Sequence, residues 1–283
     1  MAIITISRGC YSHGKEIAEK VAAKLGYECV SREILIEAAH FFHVPEMKLL
    51  KSLHNAPSIL ERITRGQDMY LSYVQAALLE HAKKDNMVYH GHGGHLLMPG
   101  ISHVIKVRVI AELNQRIEFL QQKQNVSKDE AAALIKNEDM ERAHWTRYLY
   151  KMEIDDPQIY DIIINIGRLT IEDACELICA ADRCDTYKDT PASKKAIYDL
   201  ALSSHVKAAL QTICKAEVRA DDGIVHIEVP AQKIRKTSYT RPKVQAYVKE
   251  RIVEDLRKEI EGIVKEIPDV KEVFYNIEPP YYS

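Results

Sequence analysis

The sequence predicts an α/β protein, with a parallel sheet covered by helices and a smaller α+β unit behind it. Three observations carry that expectation. Short apolar runs recur between stretches of helical periodicity, as expected of buried parallel strands. A Gly-rich loop falls between the first such run and the first helix. After about residue 195 the order changes to helix, hairpin, long helix, strand.

The candidate strands are "AIITI" (2–6), "YECV" (27–30), "NMVYH" (86–90), "HVIKVRVI" (103–110) and "YDIIINI" (160–166). Ile17, Ala18, Val21, Ala22 and Leu25 place an apolar stripe on the first helix, and Gly26 is its expected C-terminal cap. "DMYLSYVQAALLEHAKK" (68–84) reads as a longer helix leading into the third strand. "AELNQRIEFLQQKQ", "SKDEAAALIKNED" and "MERAHWTRYLYKM" read as a helical block. Thr170 and Asp173 predict a capping box at the start of "TIEDACELICAA". The polar stretch 182–195 is the expected linker between a first domain, 1–181, and a second, 196–283. In the second, "AEVRADDGIVHIEVPA" alternates on both sides of Asp221–Asp222–Gly223, a hairpin signal.

A formal net charge of −2 gives no reason to expect nucleic-acid or membrane binding. No apolar run approaches the length of a membrane span, and no export leader is evident. The cysteines form no C-x-x-C pair, and Cys175, Cys179 and Cys184 read as buried thiols of a cytoplasmic protein.

Gly9, Gly14 and Lys15 give G-x-x-x-x-G-K. Successive backbone N–H groups in such a loop, with the helix N-terminus behind them, form a nest for phosphate, and the lysine adds a mobile cation. The position after the lysine, where a hydroxyl commonly meets Mg²⁺, holds Glu16. Ser12 and Ser7 are the nearby hydroxyls that can replace it, and Glu16 can hold Mg²⁺ through water. "YHGHGGHLL" gathers His90, His92 and His95, with His103 soon after. At strand spacing His90 and His92 face one crevice, where they suit an anion, or a metal if a third ligand converges.

"ITISRGCYSHGKEIAEKVAAKLGYECVSREIL" resembles the start of the cytidylate-kinase-like proteins, relatives of bacterial nucleoside monophosphate kinases. "VYHGHGGHLLMPGISHVIKVRVIAELNQRIEFL" is similar to their third-strand segment. "EDMERAHWTRYLY" and "YDIIINIGRLTIEDACELI" resemble their lid and last strand–helix unit. The remaining domain is similar, more weakly, to the BON domain.

This resemblance implies a P-loop kinase: a five-stranded parallel sheet with helices on both faces and a helical lid. It implies ATP and Mg²⁺ as cofactors, with Gly9, Ser12, His13, Gly14, Lys15, Glu16 and Arg116 on the ATP side. Lys15, Arg142 and Arg147 become the candidate catalytic cations. Arg32, His92 and Gly93 become the acceptor side, and Arg62 and Arg65 are either acceptor-phosphate ligands or, as read here, solvated helix charges. The partner implied is a nucleotide substrate, with the C-terminal domain left to meet a protein, a ligand or a second copy. Two departures stand out: Ser31–Arg32 where the family has Asp-Arg, and Gly91–His92 where it has Gly-Arg. They keep open a second expectation, a nucleotide sensor that has lost turnover.

Overall fold

The computed structural model describes residues 2–31, 33–43, 66–234 and 242–282. Arg32, Arg62 and Arg65 lie outside the described residues. Contacts divide the chain into two units, Met1–Ile197 and Tyr198–Ser283, and the division falls inside the helix Pro191–Leu210.

The first unit is built on a five-stranded sheet. Its strands are β1 (Ile3–Arg8), β2 (Glu28–Val30), β3 (Met87–Tyr89), β4 (Val104–Ala111) and β5 (Ile162–Ile166). They lie in the order β2-β3-β1-β4-β5, and every pairing is parallel. β1 is therefore central, in register from Ile3↔Val104 to Arg8↔Val109. Burial on both faces explains its Ile3, Ile4 and Ile6, with Thr5 and Ser7 buried among them.

On one face Ile4, Ile6, Val88, Val107, Val109 and Ile164 meet two helices, α1 (Gly14–Leu25) and Ile171–Asp182. These helices are also joined at the surface by Lys20–Glu172 and Lys24–Glu176. The apolar stripe of α1 is buried as its spacing predicts, and Gly26 caps it at φ 70°. Thr170 and Asp173 form the capping box. The opposite face, which carries Thr5, receives the short helix Gly94–Leu97, and Gln75 of the helix Gly66–Ala82 donates to the Leu97 carbonyl.

The helical block after β4 resolves into two helices, not three. They are Leu113–Gln124 and Lys128–Tyr150, the second capped by Ser127 and running through residue 140 without a break. Residues 183–190 contain a single 3₁₀ turn, Asp185–Tyr187. All six cysteines are reduced; Cys175 and Cys179 are buried, but Cys184 is exposed, because it follows the helix end at Asp182.

In the second unit the expected hairpin forms, β6 (Glu217–Asp221) against β7 (Ile224–Val229), turning through Asp222 and Gly223 at positive φ. The long helix Pro242–Val264 returns the chain so that β9 (Glu272–Ile277) pairs parallel with β7. Val225, Ile227 and Val229 pack with Ile260 and Val264 from that helix. A short parallel pair, β8 (Lys233–Ile234) with β10 (Tyr281–Tyr282), was not legible in the sequence. Among the described residues no helix is long and apolar enough to cross a membrane.

Trp145, the single tryptophan, is fully buried in the first unit, so its fluorescence reports on that unit. Ile4→Ala empties a fully buried site in the central strand and should destabilise the first unit by about 2–5 kcal/mol. A urea midpoint by Trp145 fluorescence that does not move would show that β1 is not the centre of this core.

Candidate functional site

The chain leaves β1 at Arg8 and must reverse within five residues to enter α1 at Gly14. Hydrogen bonds to β4 hold the turn. The Gly9 N–H donates to the Val109 carbonyl at 3.0 Å. The Ser12 hydroxyl lies 2.8 Å from the Gly9 carbonyl and 3.1 Å from that of Val109, and the residue is buried. That hydroxyl closes the loop instead of standing open beside it.

The left-handed positions of the turn are Tyr11 (φ 59°) and His13 (φ 61°), not the glycines. Gly14 matters for a different reason. A Cβ there would come within 2.7 Å of the Arg8 Cβ, so the helix can start only where no side chain blocks the arginine stem. A Cβ at Gly9 would meet the Arg116 guanidinium at an ordinary 3.6 Å.

Three arginines surround the loop. Arg116, on Leu113–Gln124, donates from Nε to the Cys10 carbonyl at 2.7 Å and from Nη2 to Asp139 at 2.6 Å. Arg142 donates from Nη1 to the Arg8 carbonyl at 2.9 Å and has Glu138 at 3.6 Å. Asp139 accepts from the Cys10 N–H and thiol, and Glu138 accepts from the Tyr11 hydroxyl. One face of Lys128–Tyr150 thus grips the loop. Burial and the Asp139 hydrogen bond push the Cys10 thiol up to about 12, so it is no nucleophile.

The third arginine is Arg8 itself. Its Nη1 lies 2.8 Å from His90 Nδ1 at the end of β3. Burial first, and Arg142 second, bring its guanidinium down to about 10.

The remaining expected site residues separate. Lys15 is exposed on the first turn of α1, 3.5 Å from Glu19. Its charge still acts on His90 and Cys29. Glu16 turns along its helix to Lys20 at 3.3 Å and to His13 at 3.5 Å, and the His13 ring packs on Phe119. Arg147 is exposed, with both guanidinium arms on Glu153.

Each of the other histidines has a neighbour of its own. His92 packs edge-on against Trp145, His95 lies against Tyr160, and His103 bonds Asp85. Gly93 at φ 65° and the bare Gly94, against Tyr89, turn the chain sharply between them. Among the described residues no group of three His, Cys, Asp or Glu side chains could hold a metal ion.

Sequence reasoning passed over Arg8, Glu138 and Asp139. A charged residue soon after the apolar run 2–6 was the available signal for the first. For the others it was two carboxylates at helical spacing from Ala131, Ile135 and Arg142.

Residues 3–168, more than half of the chain, match the Cytidylate kinase-like family. A cytidylate kinase of Pyrococcus horikoshii is 26% identical over 199 residues, 68% of this chain and 95% of that protein. One from Ignicoccus hospitalis is 26% identical over 182 residues, 63% of this chain and 97% of that protein. The chain spans 52–59% of three other cytidylate kinases that it matches, and 19% of a uronate isomerase from Corynebacterium glutamicum. Among solved structures, a shikimate kinase from Bacteroides thetaiotaomicron superposes over 64% of this chain and 97% of its own, at 17% identity and a TM-score of 0.40.

Burial holds the imidazoles of His90 and His95 down to about 4. Both folded values lie below the unfolded value, so the unfolded chain takes up protons first on acidification. Stability should therefore fall as pH drops from about 6.5 to about 4, by roughly 2–3 kcal/mol for each histidine. His95→Phe should flatten this profile, measured as urea midpoints at pH 7 and pH 4.5. An identical acid loss in that variant would assign the lability to other groups. With residues 3–168 matched, across the sheet, the turn Gly9–Gly14 and the helix that grips it, the chain belongs to the cytidylate kinase-like family.

Proposed function

We propose that the chain transfers a phosphoryl group from ATP to a nucleoside monophosphate of the CMP kind. The observation that carries this reading is the turn Gly9–Gly14: a Gly-x₄-Gly-Lys loop at the end of a central parallel strand, held rigid before ligand arrives and backed by the N-terminus of α1. Such an end presents backbone N–H groups and a positive dipole to phosphate. The family supports phosphotransfer, and the names of the two nearly full-length relatives support CMP.

In this reading Lys15 swings from Glu19 to the terminal phosphates. Arg142 and Arg116 keep the loop in shape, and the two helices bearing them exclude water. Arg147 joins only if it leaves Glu153. The acceptor side is formed by Arg32, His92 and Gly93.

The chain's own residues do not fit a preformed magnesium cage. The Ser12 hydroxyl closes the loop, and Glu16 is matched by Lys20 and His13. Mg²⁺ would come with the nucleotide, held by phosphates and water. The second unit, 198–283, is in this reading the part that meets a ligand or partner, as its BON-like order of elements suggests.

The test is a phosphoryl-transfer screen with Mg-ATP against nucleoside monophosphates, beside calorimetry of Lys15→Ala. CMP should be among the acceptors used, and the variant should lose about 1.5–3 kcal/mol of ATP affinity. Tight, Lys15-dependent ATP binding with no transfer to any acceptor would replace the enzyme by a nucleotide sensor.

A further inference from the structure

The cations around the loop are matched one by one: Arg116 with Asp139, Arg142 with Glu138, Lys15 with Glu19. Arg8 differs. Among the described residues its hydrogen-bond partner is the imidazole of His90, and no carboxylate lies within ion-pair distance of it. A half-buried guanidinium beside a second arginine is unfavourable unless a negative group compensates it.

The fold nevertheless fixes Arg8 in this position from three sides. Its carbonyl is held by Arg142. Its stem fills the space that a side chain at residue 14 would need, with Cβ and Cδ at 2.7 and 2.8 Å from that position. Its head is accepted by His90 Nδ1, which leaves the other donors of the planar fork unassigned. Stem and head together place the remaining guanidinium donors between the first turn of α1 and the end of β3. That is the geometry in which arginine takes two oxygens of one phosphate.

We propose that Arg8, oriented by His90, is a phosphate-binding residue of this site and grips a phosphate oxygen pair of the nucleotide beside the loop. His90 is then a positioning residue: its neutral ring accepts from Nη1 and turns the fork outward. The proposal rests on the reading that the loop takes nucleotide phosphates. It adds a cation that the Gly-x₄-Gly-Lys pattern does not contain.

Inorganic tripolyphosphate is the probe, because its binding needs neither an acceptor nor turnover. By calorimetry on the full chain, Arg8→Met should bind it 10- to 100-fold more weakly than the wild type, and Arg8→Lys by a smaller factor. The unliganded melting temperature of Arg8→Met should not fall, since the substitution removes a largely buried charge that Glu138 and Glu19 favour only from a distance. As a readout independent of variants, tripolyphosphate should protect Arg8 from phenylglyoxal, mapped by mass spectrometry. Unchanged affinity in Arg8→Met, or unprotected Arg8 at saturating tripolyphosphate, overturns the proposal even if the kinase assay succeeds. Arg8-dependent tripolyphosphate binding without phosphoryl transfer to any acceptor sustains it while the kinase reading fails.

Discussion

The site depends on how the turn between Arg8 and Gly14 is anchored to β4. Two interactions do it, the Gly9 N–H on the Val109 carbonyl and the Ser12 hydroxyl bridging Gly9 and Val109. Because β1 is the central strand, these bonds fix the turn relative to the whole sheet and not to one edge of it. A loop held only by its own ends would have to be ordered by the ligand.

The helix Lys128–Tyr150 then uses one face for two purposes. Ala131 and Ile135 pack with Ile117, Leu120 and Cys10. One turn further on, the same face offers Asp139, and Arg142 follows three residues later. Apolar packing thus sets the height at which the carboxylate and the guanidinium reach the loop. The desolvation it brings is what makes those short polar contacts strong. It also raises the Cys10 thiol out of reach of chemistry.

Much of this was legible in the sequence, for physical reasons. Parallel strands buried on both faces are dominated by apolar residues, so "AIITI" and "HVIKVRVI" stand out even though Thr5 and Arg108 are buried within them. The stripe of α1 and the Thr170–Asp173 box are local patterns with local causes. What was not legible depends on turns. Arg147 reaches Glu153 six residues on because Lys151, at φ 55°, folds the chain back past the helix end. His90 and His92 looked like neighbours on a strand, but β3 ends at Tyr89 and the chain turns away. Arg8 lay beyond the strand expected at 2–6; only its contact with His90, across 82 positions of sequence, reveals where its head lies.

The two left-handed residues of the turn bear on when conformational work is done. Tyr11 and His13 hold a backbone geometry that costs a side-chain-bearing residue of order 1–2 kcal/mol. Folding has already met that penalty, since the sheet and the helix over the loop over-determine its shape. The strain is therefore charged against the stability of the first unit and not against ligand affinity. Natural variation at residues 11 and 13 should trade these two quantities against each other: glycine there would relax the fold locally and hand the work of shaping the loop to whatever binds it.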